Sequence, residues 1–139
     1  MTDNKLKLLK RYQYDRRKED DVNEERRTWT TLVTVSALYV YDYNGNSYVV
    51  TVHWYNKYYS DMNEYYRSLD LTVYPIGDDD ADSEEKARRV AEGTAGFKMN
   101  LGNKSFLDSS LDTSSEEDFT DSIHSYVTRA IEEYLADKK

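Results

Sequence analysis

Between Thr28 and Tyr74 the chain alternates with a period of two. Trp29, Thr31, Val33, Val35, Ala37, Tyr39 and Tyr41 share one side of a strand, and Thr30, Leu32, Thr34, Ser36, Leu38 and Val40 share the other. Asn44-Gly45 then interrupts the pattern before a second alternating run. That dipeptide between β-branched and aromatic runs predicts a type I′ hairpin. The loop sets Tyr41 opposite Tyr48, Tyr39 opposite Val50, Ala37 opposite Val52 and Val35 opposite Trp54. A turn at Ser60-Asp61-Met62-Asn63 likewise sets Trp54, Val52 and Val50 opposite Leu69, Leu71 and Val73. Both turns place one apolar set on one face, and a one-residue slip would break that agreement. The expectation is a three-stranded antiparallel meander over about 28–42, 47–59 and 64–75. Its other face carries Thr51, His53, Tyr55, Asp70, Thr72 and Tyr74.

After Pro75 the period lengthens. Asp78 to Glu85 reads as an acidic loop entering a helix, with Asp82 and Glu85 at capping-box spacing. Ala87, Val90, Ala91 and Thr94 face the sheet in a helix over about 83–100. Gly93 and Gly96 each weaken it by ~1 kcal/mol. Phe97, Met99 and Leu101 also alternate as a short strand would, but the helical stripe is taken as the reading. Gly102 to Ser114 is a polar loop pinned by Phe106 and Leu107. A helix over about 115–137 follows, capped by Ser114 or Ser115. Phe119, Ile123, Tyr126, Val127, Ala130, Ile131 and Tyr134 form its apolar stripe. Both C-terminal helices are expected on the apolar face of the sheet, giving an α+β domain over 28–139. Residues 1–27 are a charged segment, partly helical or mobile, with a short N-terminal helix carrying Leu6 and Leu9 or Leu8 and Tyr12.

Composition changes this picture in three respects. Only 38 % of the 139 residues are hydrophobic, but fourteen tyrosines, two tryptophans and three phenylalanines restore enough burial for one core. The absence of cysteine removes disulfides, thiolate zinc sites and thiol nucleophiles. No apolar run reaches signal-peptide or membrane-span length, so a soluble, cytoplasmic protein is expected. The net charge of −8 is uneven: +2 over 1–27, −2 over 28–76 and −8 over 77–139. That field disfavours phosphates and favours basic partners.

The candidate chemistry is sparse. His53 faces Asp70 across two strands, but no elevated serine or oxyanion loop accompanies them. Asp78, Asp80 and Asp82 have the opening spacing of a calcium loop, yet Ser83 stands where glycine is needed and Arg89 where the bidentate glutamate belongs. The expectation is therefore no enzyme, no cofactor and no metal. The order helix–strand–strand–strand–helix resembles the double-stranded RNA-binding domain, and Ser83-Glu84-Glu85-Lys86-Ala87-Arg88-Arg89-Val90-Ala91 is similar to that family's helix in small-residue spacing. Glu84 and Glu85 stand where that family has phosphate-contacting lysines, which removes direct nucleic-acid contact.

The tyrosines say more. A strand of about 13 residues spans roughly 43 Å, whereas a covering helix of about 20 residues spans roughly 30 Å. The hairpin end should overhang the helices. The expected partner-binding set is Tyr55, Tyr58, Tyr59, Asp61, Met62, Glu64, Tyr65 and Tyr66 there, with Asp78, Asp79, Asp80, Asp82, Glu84 and Glu85 standing in for phosphates. The functional expectation is a non-enzymatic acidic protein-binding module, sharpest as a DNA-mimic inhibitor of phage or mobile-element type. It would occlude the basic site of a nucleic-acid-binding enzyme, as a monomer or homodimer and without a membrane. The alternatives are a self-associating assembly protein using an open sheet face around Leu32, Leu38, Val40, Val49 and Tyr55, and a small-ligand or enzyme domain using His53 and Asp70.

Overall fold

A computed structural model describes residues 5–93, 95–101 and 111–137. In chain order they form β1 (Leu6–Asn23), β2 (Thr28–Tyr43), β3 (Asn46–Tyr59), β4 (Glu64–Ile76), α1 (Asp78–Ala81), α2 (Glu84–Gly93), β5 (Phe97–Leu101) and α3 (Glu116–Asp137). The strands lie in one sheet in sequence order, each antiparallel to its neighbours. Both expected registers are present: Val35 faces Trp54, and Trp54 in turn faces Leu69. Asn44 (φ 53°) and Gly45 (φ 90°) both take the left-handed backbone that a type I′ loop requires.

The sheet has five strands rather than three. Residues 6–23 are not a helix but an 18-residue edge strand along β2. Two bulges, at Leu9 and Tyr12, explain why no alternation is legible there. Each extra residue switches which parity faces a given side. Leu6 and Leu8 therefore pack into the same core as Tyr14, while Tyr12 packs on the opposite face. The Tyr12 hydroxyl donates to the Ala81 carbonyl at 2.6 Å, and the Tyr14 hydroxyl to the Thr113 carbonyl at 3.2 Å. One strand is thereby pinned on both faces. At the other edge Phe97–Leu101 pairs with Leu69–Val73, so the strand alternation prevails over the helical stripe. The helix stops at Gly93 instead of running to 100. With a strand at the N-terminus, the element order no longer matches the RNA-binding domain. The loop expectation for Phe106 and Leu107 lies outside the described residues.

The helices also lie on opposite faces, not one. On one face α3 buries Phe119, Ile123, Val127, Ala130 and Ile131 completely against Tyr39, Val50, Trp54, Leu69 and Leu71. Each large side chain so buried contributes roughly 1.5–3 kcal/mol. Ser115 caps α3, its hydroxyl accepting the Asp118 N–H at 3.1 Å. On the other face Ala81 and Ala87 of α1 and α2 cover Leu38, Val40, Val49 and Tyr74. That second apolar patch is what draws α2 to this side. It closes most of the expected open face, since Leu38 is 5 % exposed and Val40 and Val49 are fully buried. Ser83, not Asp82, caps α2, with its hydroxyl accepting the Lys86 N–H at 3.3 Å.

Helical cover reaches only part of the sheet. Between Thr28 and Thr34, and between Tyr55 and Tyr59, no residue of β2 or β3 is buried. Five to seven residues per strand correspond to roughly 17–23 Å of two-faced overhang. The expected overhang is real, and it includes the end of β1 as well.

Candidate functional site

The overhang ends in two adjacent turns, residues 24–27 joining β1 to β2 and residues 60–63 joining β3 to β4. Their residues Arg27 (φ 54°) and Asn63 (φ 52°) take left-handed backbone. The Ser60 N–H donates to the Trp29 carbonyl at 3.0 Å and the Trp29 N–H to the Ser60 hydroxyl at 2.7 Å, locking the hairpins together.

Strand alternation divides the tyrosines between the two faces. On the α3 side, Trp29, Tyr58 and Tyr65 form a run with centroid separations of 6.5 and 4.8 Å. The Arg67 guanidinium lies 4.6 Å from the Tyr65 ring, and the Tyr58 hydroxyl donates to the Asn63 side chain at 3.0 Å. On the α2 side, Tyr59 and Tyr66 meet edge to face at 5.4 Å, with the Lys57 ammonium 5.0 Å from Tyr59. The Tyr66 hydroxyl donates to Glu64 at 2.9 Å, a bond that raises its pKa above the ordinary phenol value. Tyr55 shares this face, half-buried opposite Ser68. Asp61 and Met62 occupy the turn.

About half of each large apolar side chain here meets water: Trp29 47 %, Met62 49 %, Tyr65 46 % and Tyr66 40 %. Between the two turns lies a recess of about 660 Å³ lined by residues of both, among them Asp21, Val22, Glu24, Glu25, Trp29, Tyr59 and Asp61. The Tyr59 ring, which shares a face with Asp21, and the acids of the two turns suit an arginine or lysine side chain. Asp21, Val22, Glu24, Glu25 and Trp29 were not in the expected set. The missing information was β1 itself, because only a strand there brings the first turn beside the second.

The six acids of residues 78–85 are elsewhere. The Ser47 hydroxyl donates to Asp78 at 2.8 Å, which places α1 beside the Asn44-Gly45 loop at the opposite end of β3. A strand of 14 residues separates this segment from the tip by roughly 45 Å. Four of the acids are engaged in ion pairs: Asp80 with Lys86, Asp82 with Lys10, Glu84 with Arg88 and Glu85 with Arg89. The tyrosines and these carboxylates do not form one surface. Charge is graded along the molecule: α1 and α2 carry seven acids against three bases over 78–93, and α3 carries seven against one. The overhang is close to neutral by comparison.

His53 and Asp70 do face each other, at the mouth of a groove of about 330 Å³ where α2 cover ends. Gln13, Ser36, Thr51, Thr72, Arg88 and Glu92 complete its walls. Asp70 accepts a hydrogen bond from the Asn100 amide, and Arg88 is held by Gln13 and Glu84. No hydrogen bond joins the imidazole to the carboxylate among the described residues. That arrangement can hold a polar molecule but orients no nucleophile. No group of three metal-binding side chains occurs among the described residues, and no described helix is long and apolar enough to cross a membrane.

Comparison with protein-family models, with curated proteins and with solved structures finds no match for this chain.

Proposed function

We propose that the protein is a non-enzymatic protein-binding module that takes basic side chains of a partner at its overhanging hairpin end. The observation that carries this reading is the acid-lined recess of Asp21, Glu24, Glu25, Tyr59 and Asp61, with the half-exposed Trp29 ring on the opposite face of the same tip. Exposed aromatic anchors ringed by charge have the composition of an interaction hot spot. The acidic helical layers behind the tip repel phosphate, which argues for a protein partner rather than a nucleic acid. A nucleic-acid-binding enzyme, whose own site is basic, is the partner class that fits best. Such an inhibitor would seat its tip in that site and leave the ion-paired acids of α1 and α2 to the periphery.

The test is affinity capture from the native host with the wild-type chain and with a Trp29→Ser/Tyr59→Ser double variant, read by mass spectrometry. A basic protein held by the wild type, lost from the double variant and released by salt supports the proposal. Equal capture by both chains moves the site away from the tip.

The groove at His53 favours a second reading, a small polar ligand. Thermal-shift screening of wild type against His53→Ala checks it. A compound that stabilises both chains equally removes that reading.

A further inference from the structure

The outer edge of β1 carries a pattern that neither the core nor the tip uses. Among the described residues strand β1 has a neighbour on one side only, and from Gln13 to Asn23 its pairing with β2 is free of bulges. The Trp29 carbonyl points to β3, where it accepts the Ser60 N–H. Odd-numbered residues of β2 therefore aim their backbone at β3, and even-numbered ones aim theirs at β1. Through the observed register, Arg16, Lys18, Asp20 and Val22 turn their N–H and C=O groups outward. Among the described residues nothing pairs with them.

The side chains along this edge read Arg16-Arg17-Lys18-Glu19-Asp20-Asp21, three cations and then three anions. Strand β2 offers them only Thr30 to Val35, none charged. Arg17, Lys18, Glu19 and Asp21 enter no ion pair among the described residues. Charge on an edge strand ordinarily keeps copies apart, but that repulsion requires like signs to meet. Here an antiparallel second copy brings the basic block onto the acidic one.

We propose that β1 pairs antiparallel with β1 of a second copy about a two-fold axis at Glu19, joining two five-stranded sheets into one. Outward backbone groups and matching faces allow only registers that pair residues of the same parity. With the axis at Glu19, Lys18 faces Asp20 and Arg17 faces Asp21 of the other copy, in both directions. Arg16, whose Nε already donates to the Thr113 hydroxyl at 3.2 Å, lies opposite Val22, which is 62 % exposed and can cover its stem. The Glu19 pair on the axis has Arg17 of the other copy as its diagonal neighbour. An axis at Lys18 would instead oppose Lys18 to itself and Asp15 to Asp21. The interface is a single ladder, so the dimer is weak and concentration-dependent.

Sedimentation equilibrium over a concentration series tests this with three chains: wild type, Arg17→Glu/Lys18→Glu, and Asp20→Lys/Asp21→Lys. The wild type should dimerise, with its dissociation constant rising about tenfold between low and high salt. Each variant alone should be monomeric, and their equimolar mixture should form the heterodimer. Amide exchange on the wild type tests the edge pairing without any substitution, because Lys18 and Asp20 should become protected only as concentration rises. A wild type that stays monomeric at low salt overturns the proposal. So does a dimer that both variants retain, or a mixture of natively folded variants that does not associate. Asp21 and Val22 also line the recess, but self-association is read with no partner present, so the two proposals fail separately.

Discussion

Replacing Phe119 and replacing Trp29 should separate the part of this molecule that folds it from the part that is presented to others. Phe119 is fully buried at the start of α3, its ring 5.6 Å from that of Tyr14. An aromatic side chain of about 200 Å² taken wholly out of water is worth roughly 5 kcal/mol at about 25 cal/mol per Å². The cavity left by alanine keeps the cost of Phe119→Ala near 3–5 kcal/mol. Trp29 is 47 % exposed, so about 130 Å² of a larger ring is covered, or roughly 3 kcal/mol gross. Cover already present in the unfolded chain and the ordering of the ring reduce that to about 1 kcal/mol. Urea unfolding followed by far-UV circular dichroism measures both, with unchanged slope as the check on two-state behaviour. If Trp29→Ala costs as much as Phe119→Ala, the tip belongs to the folding core. Its aromatics would then have no uncommitted surface for a partner, and the functional proposal would lose its basis.

Three further outcomes are expected. The Tyr43 hydroxyl donates to Glu132 at 2.7 Å, and that bond together with burial pushes its pKa up to about 12. A phenol that ionises later in the folded chain than in the unfolded one stabilises the fold fully below pH 10 and loses that contribution as pH rises through 12. Glu132 is exposed, so the difference between wild type and Tyr43→Phe should be about 1 kcal/mol at pH 8 and vanish above pH 12, as read by urea midpoints. Gly96 admits no side chain, because an added Cβ would sit 2.6 Å from both Thr72 and the Tyr74 ring. Gly96→Ala should cost about 1–3 kcal/mol in the same assay, whereas Gly93→Ala, with open space around it, should not destabilise. Tyr12→Phe removes the bond to the Ala81 carbonyl and should cost about 1 kcal/mol, loosening α1 in amide exchange before the sheet is affected.

The central hairpins were legible because each turn forced the same answer from different residues. Trp54 had to meet both Val35 and Leu69 on the apolar face, and it does. The last helix was legible for the same reason, with its cap, acidic first turn and stripe in agreement. Strand β1 was hidden by its two bulges, which interrupt the period at Leu9 and Tyr12. As an edge strand it also needs little apolar surface, so Arg16 to Asp21 read as an unfolded run. The second layer was visible as Leu38, Val40 and Val49 but had no assigned cover, because a three-strand reading left α2 on the other face. The tip tyrosines were found from strand length against helix length. Their companions Asp21, Val22, Glu24, Glu25 and Trp29 depended on β1, so most of the recess was missed with it.

The order of the strands across the sheet is the order of their synthesis. No strand needs a partner that comes later than its neighbour, so each can pair soon after it leaves the ribosome. The exception is α3, made after all five strands and required to cover Tyr39, Trp54 and Leu69. A nascent chain that has completed its sheet but not its final helix is therefore the species most exposed to aggregation. Chaperone demand should peak during the synthesis of residues 116–137.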